Sequence, residues 1–179
     1  AGISVSEAGD INGDGRGDLI VGARGADPHG IDSGSSYVVF GRSSPFGATL
    51  ALSSLNGVNG FRLDGAAADD QSGFSVSSAG DVNGDGLDDL IVGAYGATPN
   101  GIRSGSSYVI FGKDTPFAAT LALSSLDGSN GYRIDGAAEG DRSGRSVSAA
   151  GDVNRDGLDD LIIGAHGAAP NGIASGSSY

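Results

Sequence analysis

The chain is 179 residues long and carries a formal net charge of −12, with 34 glycines and no cysteine or methionine. The acidic balance disfavours nucleic acid and anionic membranes as partners, because both bind basic patches. Without cysteine there are no disulfides and no thiolate zinc sites, and glycine at this density leaves no room for long helices. No run reaches roughly 18 apolar residues, so we expect no membrane insertion. The first residue is Ala1, so we expect a processed product or a piece of a longer protein.

The sequence repeats itself with a period of 71 residues. Residues 1–37, 72–108 and 143–179 align without a gap; 27 of 37 positions are identical between the first two copies and 30 of 37 between the last two. The intervening segments, 38–71 and 109–142, also resemble each other. We therefore predict three units, 1–71, 72–142 and 143–179, of which the third is the first half of a repeat.

Each complete unit is predicted to contain four strands, as the second copy illustrates. Residues 73–78 alternate in polarity, and 89–92 form a β-branched run. Segment 107–111 is followed by Gly112, and segment 131–135 begins at Gly131. Segment 121–128 is ambiguous, because its Leu-x-Leu pattern favours a short strand and its Ser-Ser-Leu-Asp-Gly a helical turn. Four short strands in each repeat predict an all-β fold made of propeller blades rather than a solenoid.

A nine-residue acidic pattern, Asp-x-Asn-x-Asp-Gly-x-x-Asp, joins the first two predicted strands of every unit. Calcium prefers six to eight oxygen ligands, which Asp, Asn and backbone carbonyl groups supply. We expect side-chain ligands at positions one, three, five and nine, and a backbone carbonyl at position seven. The predicted ligands are Asp10, Asn12, Asp14, Arg16 and Asp18 in the first loop, Asp81, Asn83, Asp85, Leu87 and Asp89 in the second, and Asp152, Asn154, Asp156, Leu158 and Asp160 in the third.

This pattern predicts three Ca²⁺ sites. The glycine at position six permits the sharp turn around an ion, and Mg²⁺ is less suited because it demands a small octahedral shell. Without a cation, carboxylates held within a few ångströms of one another repel, and their pKa values rise. We therefore expect calcium to be needed for complete folding of each unit. The alternative is that the loops are solvated Asx turns without metal.

The residues that follow the loops argue against two helical calcium-binding families. An EF-hand loop runs to twelve residues, ends in Glu and lies between helices. Position twelve of this chain's loops is apolar, at Val21, Val92 and Ile163. A dockerin loop continues into a helix, whereas this chain continues as Leu-Ile-Val-Gly-Ala, which is typical of a strand.

The flanks resemble the FG-GAP repeat of integrin α-chain propellers and related bacterial surface proteins. The matching pattern is a Ser-Val strand, the acidic loop and a hydrophobic-Gly-Ala exit, as in Ser75–Ala94. The chain departs from the family at two places. Before the first strand the family has Phe-Gly, whereas the second copy of this chain has Ser72-Gly73. After Gly-Ala the family has a proline, whereas the second copy has Tyr95. The resemblance implies blades of four antiparallel strands, with calcium in the hairpin between the first and second, and usually seven blades in a ring.

Our interpretation is a non-catalytic, calcium-binding structural or adhesion module of a secreted or cell-surface protein. Two and a half blades cannot close a ring, because propellers have at least four. The expected partners are therefore further blades of the same protein or other copies of the chain, together with an extracellular protein or glycan. The alternatives are a carbohydrate-binding propeller, for which Tyr95 is the one aromatic residue at the predicted rim, and an accessory propeller of an extracellular hydrolase.

Arg16-Gly17-Asp18 spells a tripeptide known from integrin recognition. Asp18 is position nine of a predicted calcium loop, and the other copies read Leu-Asp-Asp at this place. We therefore expect its carboxylate to face the loop and not a partner.

Overall fold

The computed structural model describes residues 1–171 and 175–179. In that part of the chain the regular structure consists of β-strands and two short 3₁₀ turns, with no α-helix. The first unit contains β1 (Ser4–Gly9), β2 (Asp18–Ala23), β3 (Ser35–Val39) and β4 (Gly60–Asp64). The second contains β5 (Ser75–Gly80), β6 (Asp89–Ala94), β7 (Ser106–Ile110), β8 (Thr120–Ala122) and β9 (Gly131–Asp135). The third contains β10 (Ser143–Gly151), β11 (Asp160–Ala165) and β12 (Ser177–Ser178), and the 3₁₀ turns are Leu52–Ser54 and Leu123–Ser125.

Each unit builds its own sheet. The antiparallel orders are β1-β2-β3-β4, β5-β6-β7-β9 and β10-β11-β12. The prediction of an all-β, partial propeller made of separate blades is therefore confirmed. Residues 172–174 of the third copy, which the predicted unit 143–179 includes, lie outside the described residues. We call the three sheets blade 1, blade 2 and blade 3.

One strand crosses from the second unit to blade 1. Strand β8 pairs in parallel with β4, so that Arg62 lies opposite Thr120 and Asp64 opposite Ala122. A 3₁₀ turn follows directly, at Leu123–Ser125. The ambiguous segment therefore contains both a short strand and a helical turn. Blade 1 gains a fifth strand through this crossing, and its outer edge is covered.

The crossing segment is anchored by aromatic stacking. The ring of Phe117 lies almost parallel to that of Phe61, with centroids 4.3 Å apart. Phe40 packs at a tilt against both rings, at 5.8 Å from each. Offset and tilted aromatic pairs of this kind stabilise a core beyond the area that they bury. The segment before β8 is thus part of the core between blades 1 and 2.

Apolar side chains on facing sheet surfaces hold the blades together. The core between blades 1 and 2 includes Ile20, Val38, Phe61, Leu63, Val76, Leu90, Val92 and Ile110. The core between blades 2 and 3 includes Ala79, Ile91, Val109 and Ile163. Alternate residues of β6 contribute to both cores, as expected for a strand whose sheet is covered on both faces.

The glycine of the Val-Gly-Ala exit is required by the approach of the next blade. A Cβ atom added at Gly22 would lie 2.0 Å from the carbonyl oxygen of Gly73, and one added at Gly93 would lie 2.0 Å from that of Gly144. Real Cβ atoms do not approach backbone oxygens so closely. Any side chain at these positions would therefore push adjacent blades apart.

In the described part of the chain, no helix is long and apolar enough to cross a membrane.

Candidate metal centre

The three acidic loops occupy equivalent places, each between the first and second strands of its blade. A β-bulge precedes every loop, where the register shifts before Gly9, Gly80 and Gly151. These glycines have φ values of +64°, +69° and +67°, in the left-handed region that favours glycine. The bulge turns the chain out of the sheet, and the loop closes over it.

Backbone N–H groups fix the acidic side chains within each loop. The carboxylate at position one accepts from the N–H groups of positions five and six, with N–O distances of 3.0 and 2.8 Å for Asp10, 3.1 and 2.9 Å for Asp81, and 3.0 and 3.0 Å for Asp152. This carboxylate therefore spans the turn in all three copies, which is why the loops share one conformation.

Positions three and five continue this network. The amide oxygen at position three accepts the N–H of position five, at 2.9 Å in the first loop and 2.8 Å in the other two. The carboxylate at position five accepts the N–H of position seven, at 3.0, 3.0 and 2.9 Å. The predicted side-chain ligands at positions one, three and five thus lie along a single short turn, and the residues at position seven, Arg16, Leu87 and Leu158, complete it.

The aspartate at position nine is buried in the first two loops. One oxygen of Asp18 accepts the N–H of Gly41 at 2.7 Å and the other accepts that of Ile11 at 3.2 Å. Asp89 repeats both contacts in blade 2. Burial raises the pKa of each carboxyl group to about 6, and the charges at positions one and five of the same loop act in the same direction.

The third loop is more open. Asp160 is only half-buried, and it accepts the N–H of Val153 at 2.9 Å and the side-chain amide of Asn154 at 3.4 Å. Val153 is 70% exposed, whereas Ile11, its equivalent in the first loop, is fully buried. The difference follows from position in the array, because blade 2 covers the first loop and no described blade follows the third.

The donor chemistry of the loops fits a hard cation. All the predicted side-chain donors are oxygens, which suits Ca²⁺ and disfavours metals that prefer nitrogen or sulfur. A carboxylate oxygen that accepts one N–H retains a second lone pair for a cation. Within residues 1–171 and 175–179, however, no three His, Cys, Asp or Glu side chains lie close enough together to hold a metal ion. Binding would therefore require the side chains of a loop to close on the ion.

Sequence reasoning missed two sets of residues around the loops. Gly41 and Gly112 donate their N–H groups to the buried aspartates, and the signal for them was the Phe-Gly pair that ends the third strand of both complete units. Asp88 and Asp159, at position eight, accept hydrogen bonds from the preceding blade. Their only signal was the Leu-Asp-Asp sequence, which does not reveal a contact across blades.

The Arg-Gly-Asp tripeptide is not available to a partner in this fold. Asp18 is 5% exposed, and both of its oxygens accept backbone N–H groups. Arg16 forms an exposed ion pair with Asp14 of the same loop, with a nitrogen to oxygen distance of 3.5 Å. The tripeptide is therefore a structural part of the loop.

Tyr95 does not present a free aromatic surface. Its ring packs edge-on against Phe74, with centroids 4.6 Å apart, and the guanidinium of Arg145 lies 5.5 Å from the ring centroid. Its hydroxyl donates to Gln71. These contacts leave little of the ring for stacking on a sugar.

Comparison with known proteins identifies the repeat. The sequence model of the FG-GAP repeat matches residues 2–39, 72–110 and 143–177, more than half of the chain. The chain belongs to the FG-GAP repeat family. The resemblance that the loop flanks predicted is thereby confirmed, and the three matches span β1–β3, β5–β7, and β10 to the start of β12.

Curated relatives of this FG-GAP protein fall into two groups. It is 35% identical over 127 residues to integrin alpha-PS2 of Drosophila melanogaster, covering 70% of this chain and 9% of the relative. It is 37% identical over 98 residues to integrin alpha-M of Mus musculus, covering 53% of the chain and 8% of the relative. It is also 39% identical over 94 residues to phosphatidylinositol-glycan-specific phospholipase D of Rattus norvegicus, covering 50% of the chain and 10% of the relative. The chain thus spans a tenth or less of each relative.

Proposed function

We propose that this FG-GAP protein is a calcium-binding structural or adhesion module of a secreted or cell-surface protein, and that calcium rigidifies each blade without taking part in catalysis. The observation that supports this most directly is the loop network, in which backbone N–H groups fix the carboxylates at positions one and five along one short turn in every blade. The integrin alpha relatives support the adhesion role.

Electrostatics explains why a cation would stabilise the blades. Asp18 and Asp89 are buried beside two further carboxylates of their loops, and their raised pKa values express the cost of ionising them there. A divalent cation would offset that cost without a proton. Sites of this kind with about millimolar affinity stay filled in the calcium-rich surroundings outside cells, which is why we place the protein there.

The full set of proposed ligands follows the loop positions. The side chains at positions one, three, five and nine and the carbonyl oxygen at position seven would hold the ion in each of the three blades. The division of the chain into units 1–71, 72–142 and 143–179, with one ion in each, stays part of this proposal.

Calorimetry and thermal melting test the calcium sites. We expect titration of the chelated protein with Ca²⁺ to give about three sites and to raise Tm, because a ligand that binds only the folded state stabilises it. Asp85→Ala should remove one site and leave two. Glu139→Ala, which removes the same charge from an exposed residue outside the loops, should leave three. Unchanged melting on chelation, or equal stoichiometry in both variants, would contradict the proposal.

We also propose that the open faces of the array pack against further FG-GAP blades. Val5 is 57% exposed on blade 1, whereas its equivalent on blade 2, Val76, is covered by blade 1 and 5% exposed. On blade 3 Ile162 is exposed, whereas its equivalents Ile20 and Ile91 are fully buried. The surfaces that hold the described blades together thus recur unpaired at both ends. The blades that cover them would come from the same protein or from another copy of the chain.

The phospholipase D relatives favour one alternative, an accessory propeller of an extracellular hydrolase whose catalytic part lies outside this chain. Under this alternative the isolated chain has no hydrolase activity on a phosphatidylinositol glycan, while the intact parent protein does. Turnover by the isolated chain would contradict both functions. The carbohydrate-binding alternative has lost its support at Tyr95, and absence of binding on a glycan array would remove it.

A further inference from the structure

The aspartate at position eight of an acidic loop reaches the loop of the blade before it. Asp10 of blade 1 donates its backbone N–H to Oδ2 of Asp88 in blade 2, at 2.7 Å. Asp81 of blade 2 donates in the same way to Oδ2 of Asp159 in blade 3, at 2.9 Å. The same contact thus occurs at both junctions, and on each occasion it holds the backbone of position one, whose side chain spans the loop.

Backbone and apolar contacts surround this hydrogen bond. At the first junction Lys113 donates its N–H to the carbonyl oxygen of Ile11 at 2.9 Å, and at the second Asp159 donates to that of Asp81 at 3.0 Å. The side chain of Leu87 lies over Gly13, where an added Cβ would be 3.1 Å from Cδ2. The following blade therefore closes over one side of the preceding loop.

The glycine at the loop entrance leaves room for the aspartate. A Cβ atom added at Gly9 would lie 2.3 Å from Cγ of Asp88, and one added at Gly80 would lie 2.1 Å from Oδ2 of Asp159. At Gly151, which no described blade follows, an added Cβ would have no neighbour within 4 Å among the described residues. The space at the first two glycines is thus filled by the neighbouring carboxylate.

The contact places the carboxylate of Asp88 against the backbone of the preceding loop. Asp88 and Asp10 are both partly buried, and the hydrogen bond fixes the backbone from which the Asp10 side chain projects. A loop held in this way loses less conformational freedom when it closes on a cation. Occupancy of the loop and contact with the next blade would then strengthen each other, because coupling between two binding equilibria is reciprocal.

We infer that Asp88 and Asp159 are positioning residues, each of which orders the metal loop of the preceding blade, so that the calcium affinity of a loop depends on the blade that follows it. The inference rests on the proposed calcium function. Gly17 occupies position eight of the first loop, so blade 1 offers no such carboxylate to a blade before it. The third loop, which no described blade follows, should be the weakest site of the 179-residue chain.

Variants that retain a single loop test the inference. Asp85→Ala with Asp156→Ala leaves the first loop intact, and calcium binding to it is then measured by calorimetry. Adding Asp88→Ala should weaken that affinity by about 10-fold or more, the usual effect of losing a group that orients a metal ligand. Asp88→Asn keeps an oxygen acceptor for the Asp10 N–H and should recover most of the affinity. Glu139→Ala in the same background controls for the lost charge.

A second arm repeats the test at the next junction. Asp14→Ala with Asp156→Ala leaves the second loop, and Asp159→Ala should weaken it by a similar factor. Loss of affinity in both arms, with recovery by Asp88→Asn, is the expected result. Equal affinities of the single-loop protein with and without Asp88→Ala, or an equal loss with Glu139→Ala, would overturn the inference.

Amide hydrogen exchange separates the inference from the proposed function. With or without calcium, Asp88→Ala should speed exchange of the Asp10 N–H, and Asp159→Ala should do so at Asp81. Unchanged exchange at both amides would overturn the positioning role even if calcium binds. Failure of the single-loop protein to bind calcium while Asp88 is intact would instead contradict the calcium function. The exchange rates alone would then show whether Asp88 orders the backbone of Asp10.

Discussion

At the scale of single residues, the aspartate at position nine is the buried charge of the first two loops. Asp18 and Asp89 are carboxylates in an apolar setting, held by two backbone N–H groups each. Those donors favour the charged form, but burial outweighs them and the pKa values rise to about 6. The hydrogen bonds of this aspartate therefore stabilise the folded state, whereas burial of its negative charge destabilises it.

This balance predicts that the calcium-free protein loses stability as the pH rises. A carboxyl group whose pKa is raised on folding keeps its proton in the folded state where the unfolded chain has lost it. The resulting stability is complete below about pH 4 and is lost as the pH passes through about 6. In chelator, we expect the urea midpoint to be higher near pH 5 than near pH 7.5. Saturating calcium should remove or reverse this trend, because ligands bind the ion deprotonated. A higher midpoint near pH 7.5 in chelator would contradict the prediction.

The same residue predicts the result of altering the Arg-Gly-Asp tripeptide. Asp18→Ala leaves the N–H groups of Gly41 and Ile11 without an acceptor and should lower the free energy of unfolding by about 2–4 kcal/mol. Arg16→Ala removes an exposed ion pair and should cost less than about 0.5 kcal/mol. Urea unfolding of both variants in calcium checks this. A larger loss for Arg16→Ala than for Asp18→Ala would contradict a structural role for Asp18.

At the scale of elements, β8 links two repeat units, because it belongs to the second unit in sequence and pairs with β4 of the first. Its anchor, Phe117, has a matched counterpart in Phe46, one period earlier in the sequence. Phe117 is 8% exposed and stacks on Phe61, whereas Phe46 is 49% exposed and is covered by the guanidinium of Arg42, 4.0 Å from its ring centroid. The same residue in the same repeat position thus has two environments, according to whether a described blade precedes its own.

We expect Phe117→Ala to lower the free energy of unfolding by about 3–5 kcal/mol, the usual range for removal of a buried aromatic side chain. Phe46→Ala should cost about 1 kcal/mol or less, because it removes little buried area. Chemical denaturation of the two variants measures the difference. Similar losses for both would show that the stacking on Phe61 does not anchor β8.

Much of the architecture could be predicted from the sequence, for identifiable reasons. The loops were found because three copies repeat the same oxygen side chains, and the strands because Leu-Ile-Val and Tyr-Val-Ile runs end at glycine. The parallel pairing of β8 with β4 could not be predicted, because a repeat pattern predicts the same structure around Leu50 and Leu121. Only the segment of Leu121 has a preceding described blade with which to pair. The contact of Asp88 with Asp10 was missed for the same reason, since it joins residues of different units.

At the scale of the whole molecule, the two end faces of the described array expose apolar repeat positions that are buried at the internal junctions. Val5 and Leu19 on blade 1 occupy the repeat positions of Val76 and Leu90, which are buried between blades. Apolar faces of this kind mark interaction sites when they recur as a contiguous surface. We therefore expect further blades to cover both faces.

This predicts concentration-dependent self-association of the isolated chain, because the exposed apolar face of blade 3 would cover that of blade 1 in another copy. Sedimentation at increasing concentration should show species larger than the monomer. Val5→Asp should weaken that association, because a charge would be buried in the contact. Val58→Asp, at an exposed turn residue, is the control and should leave association unchanged. A monomer at every concentration would indicate that the covering blades come from the parent protein alone.

The pairing of β8 with β4 has a consequence for the synthesis of the protein. During synthesis, all four antiparallel strands of blade 1 emerge from the ribosome before its fifth strand, and the edge of Gly60–Asp64 stays open until Ala122 has followed. An open edge of this kind pairs readily with other chains. The nascent chain therefore passes through a window in which the edge of blade 1 is open to pairing with other chains, and the arrival of β8 ends that window.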